Sequence, residues 1–391
     1  MAGAEMSEGE RGSFRYTNPA VVYYGAGCVA AYLDSELERL GARRVFLVTT
    51  RSVAAHPALA PALRRQLGAR LVGEYAAISA HAPAREVMAA AVAARAAAPD
   101  VLVSLGGGSP IDAAKLVALV LATELDLTQP DSHRRARQLS LAGRAVLPHL
   151  AISTTLSAAE FSAAAGYSLE GTREKVGPPP LPELLPAAVF LDAALAVHTP
   201  LALWLSTGIR AVDHAVEGIL SRHSSAYSET LALEALRRLR TGLPACAAAP
   251  DDLAARTQCQ LGAWFSMALP VPSARGLSHM LGKQLGSVHG IPHGVTSCLL
   301  LPHAMRFLAP RTAAKQARIA AALGVDTRGL SEAEAAARAA DAVAALVAEL
   351  GQPQHLAAYH LTEDDLRRAA AALAGDEYSL DDLLGILRAA W

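Results

Sequence analysis

Short runs of apolar, β-branched residues recur through the first half of the chain, each bounded by polar residues. They are Val45–Thr49 (VFLVT), Val101–Leu105 (VLVSL), Leu147–Ser153 (LPHLAIS) and Ala188–Leu191 (AVFL). Their length and branching predict buried strands. Alanine-rich stretches at helical spacing, such as Ala84–Ala98 and Pro110–Leu121, lie between them. Strands alternating with helices predict an α/β domain, a parallel sheet covered by helices on both faces. The proline-rich stretch Gly177–Pro186 breaks the pattern and reads as a loop. From Leu201 to Trp391 the apolar period is helical and strand signals nearly vanish; Ala313–Leu323 and Glu332–Leu350 are amphipathic helices. The expected plan is a tail over 1–15, an α/β domain over 16–194 and an all-α domain over 195–391. The active site is expected in the cleft between the two domains.

Composition narrows the class of protein. A chain of 391 residues with 52% hydrophobic and 18% charged residues can bury two substantial cores. The net charge of −1, without a long basic or acidic block, argues against nucleic acid as partner and leaves a small molecule. No segment is apolar enough for a membrane span, and the polar N-terminus lacks a signal-like core, so the cytoplasm is expected. Cys28, Cys246, Cys259 and Cys298 lack paired spacing and read as small buried apolar residues. Lysine is scarce. Of only four, Lys115, Lys175 and Lys283 fall in segments singled out on other grounds, a mild sign that the ammonium group matters there.

The segment Gly106-Gly107-Gly108-Ser109-Pro110-Ile111-Asp112 follows one predicted strand and opens a helix. Glycines let backbone N–H groups approach an anion, and the helix start adds its positive end. A phosphate of NADH or NADPH is the expected ligand, although the spacing is not the GxGxxG fingerprint. Asp112 lies within this turn-helix segment. Thr154, Thr155 and Ser157 end another strand with hydroxyls suited to a ribose or diphosphate. Lys175 is either a solvated loop lysine or a further cofactor contact. At the end of Val45–Thr49, Thr50 and Arg51 stand where an acidic residue would reject a 2′-phosphate, so the choice between the two dinucleotides stays open.

Three histidines complete the candidate chemistry. Arg210 and His214 lie four apart, as do His279 and Lys283, so each pair shares a helix face; His293 sits between Pro292 and Gly294 in a turn. Together they point to acid/base or metal chemistry.

The motifs GGGSPIDAAK (106–115), TTLSAAE (154–160), FLDAALAVHTP (190–200), GIRAVDHAVE (208–217), GLSHMLGKQLGSVHGIPHGV (276–295) and LLPHAMRF (300–307) run in one order. In them the chain resembles the iron-containing (group III) alcohol dehydrogenase superfamily, which includes maleylacetate reductases and is related to dehydroquinate synthase. The resemblance runs from about Asn18 to the C-terminus. It implies the two-domain, dehydroquinate synthase-like fold with the α/β domain dinucleotide-binding and the helical domain catalytic, hydride transfer from NADH or NADPH, and a homodimer or larger assembly. In metal-dependent members the pattern GMDxxxHAxE supplies an Asp and a His, and two further histidines follow. Here His214, His279 and His293 hold the histidine positions, Arg210 stands at the Asp position, and Lys283 replaces the second histidine of HxxxH. An arginine cannot ligate a divalent ion and repels it at close range.

The expectation is therefore a carbonyl reductase acting on an oxo acid such as maleylacetate without a catalytic metal. Arg210 and Lys283 would hold an anionic group, and a protonated histidine or Lys283 would stabilise the nascent alkoxide. One alternative is a metal-dependent alcohol or aldehyde dehydrogenase in which His214, His279 and His293 bind Fe or Zn, with Asp213 or water completing the shell. Another is a dehydroquinate synthase-like lyase, which net consumption of NAD(P)H would exclude. Arg210 paired with Asp213 or Glu217 in a structural helix salt bridge facing away from the cleft is the remaining reading of that residue.

Overall fold

The computed structural model describes residues 18–169, 175–268 and 276–391; the expected tail over 1–15 lies outside them. Six strands form one sheet: β1 (Val21–Tyr24), β2 (Val45–Thr49), β3 (Leu71–Tyr75), β4 (Val101–Gly106), β5 (His149–Ser153) and, after a short antiparallel hairpin of β6 (Tyr167–Ser168) and β7 (Lys175–Val176), β8 (Ala188–Leu191). Their order is β1-β8-β5-β4-β2-β3, and every pairing is parallel.

Alternation along β2 shows why these strands read as continuous apolar runs. Phe46 and Val48 pack into a core with the helices Ala84–Ala97 and Gly108–Thr123, while Val45 and Leu47 enter the opposite core with Leu33, Leu37 and Leu63. Both faces are covered, so β2 is apolar except for Thr49, whose hydroxyl donates to the Leu105 carbonyl at 2.7 Å.

The four strands expected from sequence are present. β5 begins at His149 rather than Leu147 because Pro148 has no N–H for the ladder; its carbonyl still accepts from Leu102 N at 2.9 Å. Two strands of the sheet escaped the sequence pattern. β1 and β3 are its edges, where only one neighbour and partial burial are required, and β3 carries Gly73 and Glu74.

Beyond residue 200 the structure is helical. The helix Leu201–Leu220 is buried along most of its length against Ala226–Ala248, Leu253–Ser266 and His293–Ala322, and Glu332–Glu349 packs on the last of these. Trp204 lies at the centre, with the Arg256 guanidinium stacked 4.4 Å from its ring. Ala313–Leu323, expected as a helix of its own, is the second limb of the long helix His293–Ala322. Pro302 and Pro310 interrupt that helix, and it departs from helical geometry at Thr312 (φ −136°). Sheet and helices are joined where Leu156 N donates to Thr207 Oγ1 at 3.2 Å and Thr199 Oγ1 donates to the Thr154 carbonyl at 2.7 Å. Among the described residues no helix is long and apolar enough to cross a membrane.

Candidate active site

β2 and β4 are neighbours, and the chain leaves their carboxyl ends at Thr50 and at the glycine turn. The strand order reverses around β2, the position where open α/β sheets leave a crevice. Gly106 has φ +138°, a region closed to L side chains, and a Cβ there would lie 2.9 Å from Pro110 Cγ. A Cβ on Gly107 would come within 3.0 Å of Thr155 Cγ2, and one on Gly108 within 3.2 Å of Ser157 Oγ. The bare turn therefore faces the Thr155–Ser157 hydroxyls at close range, and the 16-residue helix Gly108–Thr123 starts there. Thr154 N donates to the Gly106 carbonyl at 2.9 Å, tying the two loops together. Thr50 caps the next helix, its Oγ1 accepting from Val53 N at 3.3 Å.

Other residues of the expected cofactor set are engaged with protein. Ser109 Oγ accepts from His81 N at 3.1 Å. Asp112 accepts from Lys175 Nζ at 3.0 Å and from Gly166 N at 3.3 Å, which pins the β6–β7 hairpin over the glycine-turn helix. Lys115 is fully buried; its Nζ donates to the carbonyls of Ala159, Ser162 and Ala164 at 2.7, 2.6 and 3.1 Å. Its ammonium anchors the loop behind the hydroxyls and reaches no surface.

The helix Leu201–Leu220 presents Arg210, Asp213, His214 and Glu217 on one stripe, at the three- and four-residue spacing that keeps side chains on one face. Arg210 is 7% exposed and turned inward. Its Nη1 donates to Asp213 Oδ2 at 3.0 Å and to Ser297 Oγ at 2.9 Å, and its Nη2 donates to His279 Nδ1. Ser297 and Ser278 hydroxyls also donate to Asp213 Oδ2, at 2.5 and 3.2 Å. Burial pulls the Asp213 carboxyl up, against Arg210 and the two serines.

Glu217 holds the start of the helix Leu277–His289, accepting from Gly276 N at 2.9 Å and His279 N at 3.0 Å. A Cβ on Gly276 would sit 2.7 Å from the Glu217 carboxyl, so glycine permits the approach. This carboxylate brings His279 to the guanidinium. Arg210 does pair with Asp213, but not as an isolated helix salt bridge turned away from the site: the pair is part of a buried network that contains the candidate site histidine His279.

The His214 and His279 rings lie 6.5 Å apart between centroids. His293 begins the long helix, whose Gly294 would bring a Cβ to 2.6 Å from the Ser206 carbonyl, so the two helices meet closely here. Burial, with Arg210 second, holds His214 and His293 well below the ordinary imidazole range. Both are neutral at pH 7, which corrects the expectation of a protonated histidine at either position. Lys283 stands exposed one turn beyond His279, its charge also bearing on His293. Arg210 Nη2 lies within reach of both His279 ring nitrogens, and because a guanidinium only donates, the nitrogen that receives it is an acceptor.

Sequence reasoning passed over Ser278, Ser297 and His81. Ser278 precedes His279 and Ser297 lies four residues after His293, but neither carries a pattern of its own. The His81 ring lies edge-on to that of His293, centroids 5.6 Å apart at 86°.

The donor set that a metal would use is shared with a cation. Asp213 Oδ1 and His214 Nδ1 are buried without partners among the described residues, yet a fixed positive charge stands between Asp213 and His279. No three His, Cys, Asp or Glu side chains group as metal ligands among the described residues.

Comparison with known proteins covers both halves of the chain. Residues 19–193 match iron-containing alcohol dehydrogenase, and residues 204–382 match the C-terminal part of the Fe-containing alcohol dehydrogenase family. Maleylacetate reductase 1 of Cupriavidus pinatubonensis is 28% identical over 363 residues, 93% of this chain and 90% of that one. Lactaldehyde reductase of Escherichia coli is 29% identical over 384 residues, 94% and 97% of the two chains. The crystal structure of maleylacetate reductase from Agrobacterium tumefaciens matches with a TM-score of 0.80 at 28% identity, covering 98% of this chain and 99% of that one. By sequence along nearly its whole length and by fold, this chain is a dehydrogenase/reductase of the iron-containing alcohol dehydrogenase family, in its maleylacetate reductase-like branch.

Proposed function

We propose that the protein reduces the carbonyl of a small oxo acid with NADH or NADPH, without a catalytic metal, and that maleylacetate is the first substrate to test. The observation that carries this reading is the buried Arg210 guanidinium held between Asp213, Ser297 and His279. A permanent cation stands where the resemblance implies a ligating carboxylate, and the names of the relatives supply the substrate class.

The glycine turn fits a dinucleotide phosphate. Gly106 to Gly108 leave backbone N–H groups uncovered by side chains at a helix start, opposite the Thr155 and Ser157 hydroxyls. When bound, the reduced nicotinamide supplies the hydride for the carbonyl carbon. The carbonyl oxygen gains negative charge as this happens. His279 presents a ring nitrogen and Arg210 its charge, in surroundings dry enough to strengthen both. Neutral His214 and His293 act as hydrogen-bond partners, and Lys283 at the rim passes the proton that completes the alcohol. A carboxylate on the substrate is drawn by the same cations. The protein acts as a homodimer or larger homo-oligomer on a small anionic molecule.

Replacing Gly106 by Ala is expected to weaken dinucleotide binding about tenfold or more, since the φ it requires costs an L residue about 1–3 kcal/mol. Fluorescence titration with NADH and NADPH checks this, and unchanged affinity contradicts the placement.

The reading as a whole is tested with protein purified without chelator. Oxidation of NADH or NADPH by maleylacetate is followed, with elemental analysis before and after dipicolinate treatment. Turnover that survives treatment, with substoichiometric metal, is expected. One divalent ion per chain, with activity lost on its removal and restored on its return, overturns it. The unpartnered Asp213 Oδ1 and His214 Nδ1 favour a second reading, a metal-dependent dehydrogenase using His214, His279 and His293. The same measurement separates the two.

A further inference from the structure

His81 belongs to no motif of the sequence, yet the fold holds it with unusual care. It lies between β3 and the helix Ala84–Ala97, at φ +65°, and Ala82 follows at φ +48°. Two successive non-glycine residues in the left-handed region persist only where the surroundings over-determine them. Here they do. His81 N donates to Ser109 Oγ at 3.1 Å and its carbonyl accepts from Ser168 Oγ at 3.1 Å. Ile78 N donates to the Thr49 carbonyl at 3.2 Å, and Ala82 N to the Ser79 carbonyl at 3.2 Å. Ser79 in turn binds Glu86 through both its N–H, at 2.6 Å, and its hydroxyl, at 2.7 Å.

Three segments of the sheet half thus fix one backbone: the glycine turn, the β6–β7 hairpin and the end of β2. What they hold in place is a half-buried ring set at 86° against His293, a residue of the helical half. Edge-to-face packing at such a separation fixes ring orientation. His81 is therefore a wall for His293 built from the cofactor side of the molecule. Its backbone anchor, Ser109, is in the very turn that faces the dinucleotide.

We propose that His81 is a positioning residue: its ring fixes the plane in which the His293 imidazole meets the carbonyl oxygen, coupling that orientation to the glycine turn. This rests on the reading of His293 as a residue of the reacting centre.

Two variants isolate the ring from the backbone. Asparagine tolerates the left-handed conformation but has no ring, whereas phenylalanine keeps an aromatic wall without imidazole nitrogens. With maleylacetate as probe, His81→Asn is expected to lower kcat about tenfold with NADH or NADPH affinity unchanged. His81→Phe should stay within threefold of the parent. In a background already carrying His293→Gln, adding His81→Asn should change nothing further.

A second readout needs no substrate. In spectra of histidine ring-labelled protein, the His293 signals should shift or broaden in His81→Asn and keep their sharpness in His81→Phe. An unmoved His293 signal in His81→Asn overturns the proposal, as does a His81→Phe protein as slow as His81→Asn. If His293→Gln itself retains full turnover while the ring signals behave as expected, it is the reading of the site that fails, and the orienting contact stands.

Discussion

Replacing Arg210 by Ala should cut kcat/KM by about 10²–10³ and destabilise the fold by about 3–5 kcal/mol. The stability loss follows from burial. Asp213 is fully buried, and its Oδ2 accepts from Arg210, Ser278 and Ser297. Removing the guanidinium strands that carboxyl, which must take up a proton or remain charged without a cation. The kinetic loss has a separate origin: His279 loses the donor that its ring accepts from, and the site loses its permanent positive charge. Arg210→Lys divides the two. One ammonium can neutralise Asp213 but cannot span to both Ser297 and His279, so it should recover most of the stability and little of the turnover. Denaturant midpoints and steady-state kinetics on the same preparations decide the matter. If Arg210→Lys recovers both together, or Arg210→Ala keeps turnover within threefold despite its instability, then the arginine serves only the fold.

This network marks the limit of what the chain discloses unfolded. Arg210 and Asp213 are three apart, a spacing met equally in solvated helix pairs, so sequence alone left open whether they faced a site or water. What decides it is that the helix Leu201–Leu220 is buried on nearly all sides, so no watery face is available at this stripe. The core strands were legible for the converse reason. β2, β4 and β8 are buried on both faces, so every position had to be apolar or small. β1 and β3, on the rims, carry no such demand and left no clear signature.

The glycines and the three histidines stand out in the sequence because they come in recognisable runs. Contacts between distant chain segments carry no such signal. Lys175 meets Asp112 across 63 residues, and His81 meets His293 across the two halves of the molecule. A lone histidine before Ala-Pro gives no local cue that its backbone will turn left-handed, because Ser109 and Ser168 impose that turn from elsewhere.

Lysine scarcity was a better guide than its reason. Lys115 does matter, but as a strut, and Lys115→Met should destabilise the protein by about 3 kcal/mol or more. Burial pushes its ammonium down to about 8, so the group is still charged at pH 7, where its three protons match three carbonyls. Methionine fills similar space but leaves the Ala159, Ser162 and Ala164 carbonyls buried without a donor, each costing on the order of 1–3 kcal/mol unless the loop opens to water. Glu160 loses as well. It is buried beside Lys115, and burial already lifts its carboxyl to about 7, so without the neighbouring ammonium it should hold its proton to higher pH. Opening of the 159–164 segment would slacken the Thr154–Ser157 loop immediately before it. Dinucleotide affinity should therefore fall in Lys115→Met even though Lys115 touches no ligand, and hydrogen exchange should speed up first in that segment. Lys115→Arg offers the contrast: it retains the charge but must fit a larger planar group into a fully enclosed space, and should be no better than methionine. A Lys115→Met protein with parental midpoint, exchange and affinity would show that the three carbonyls find other partners and that the strut is dispensable.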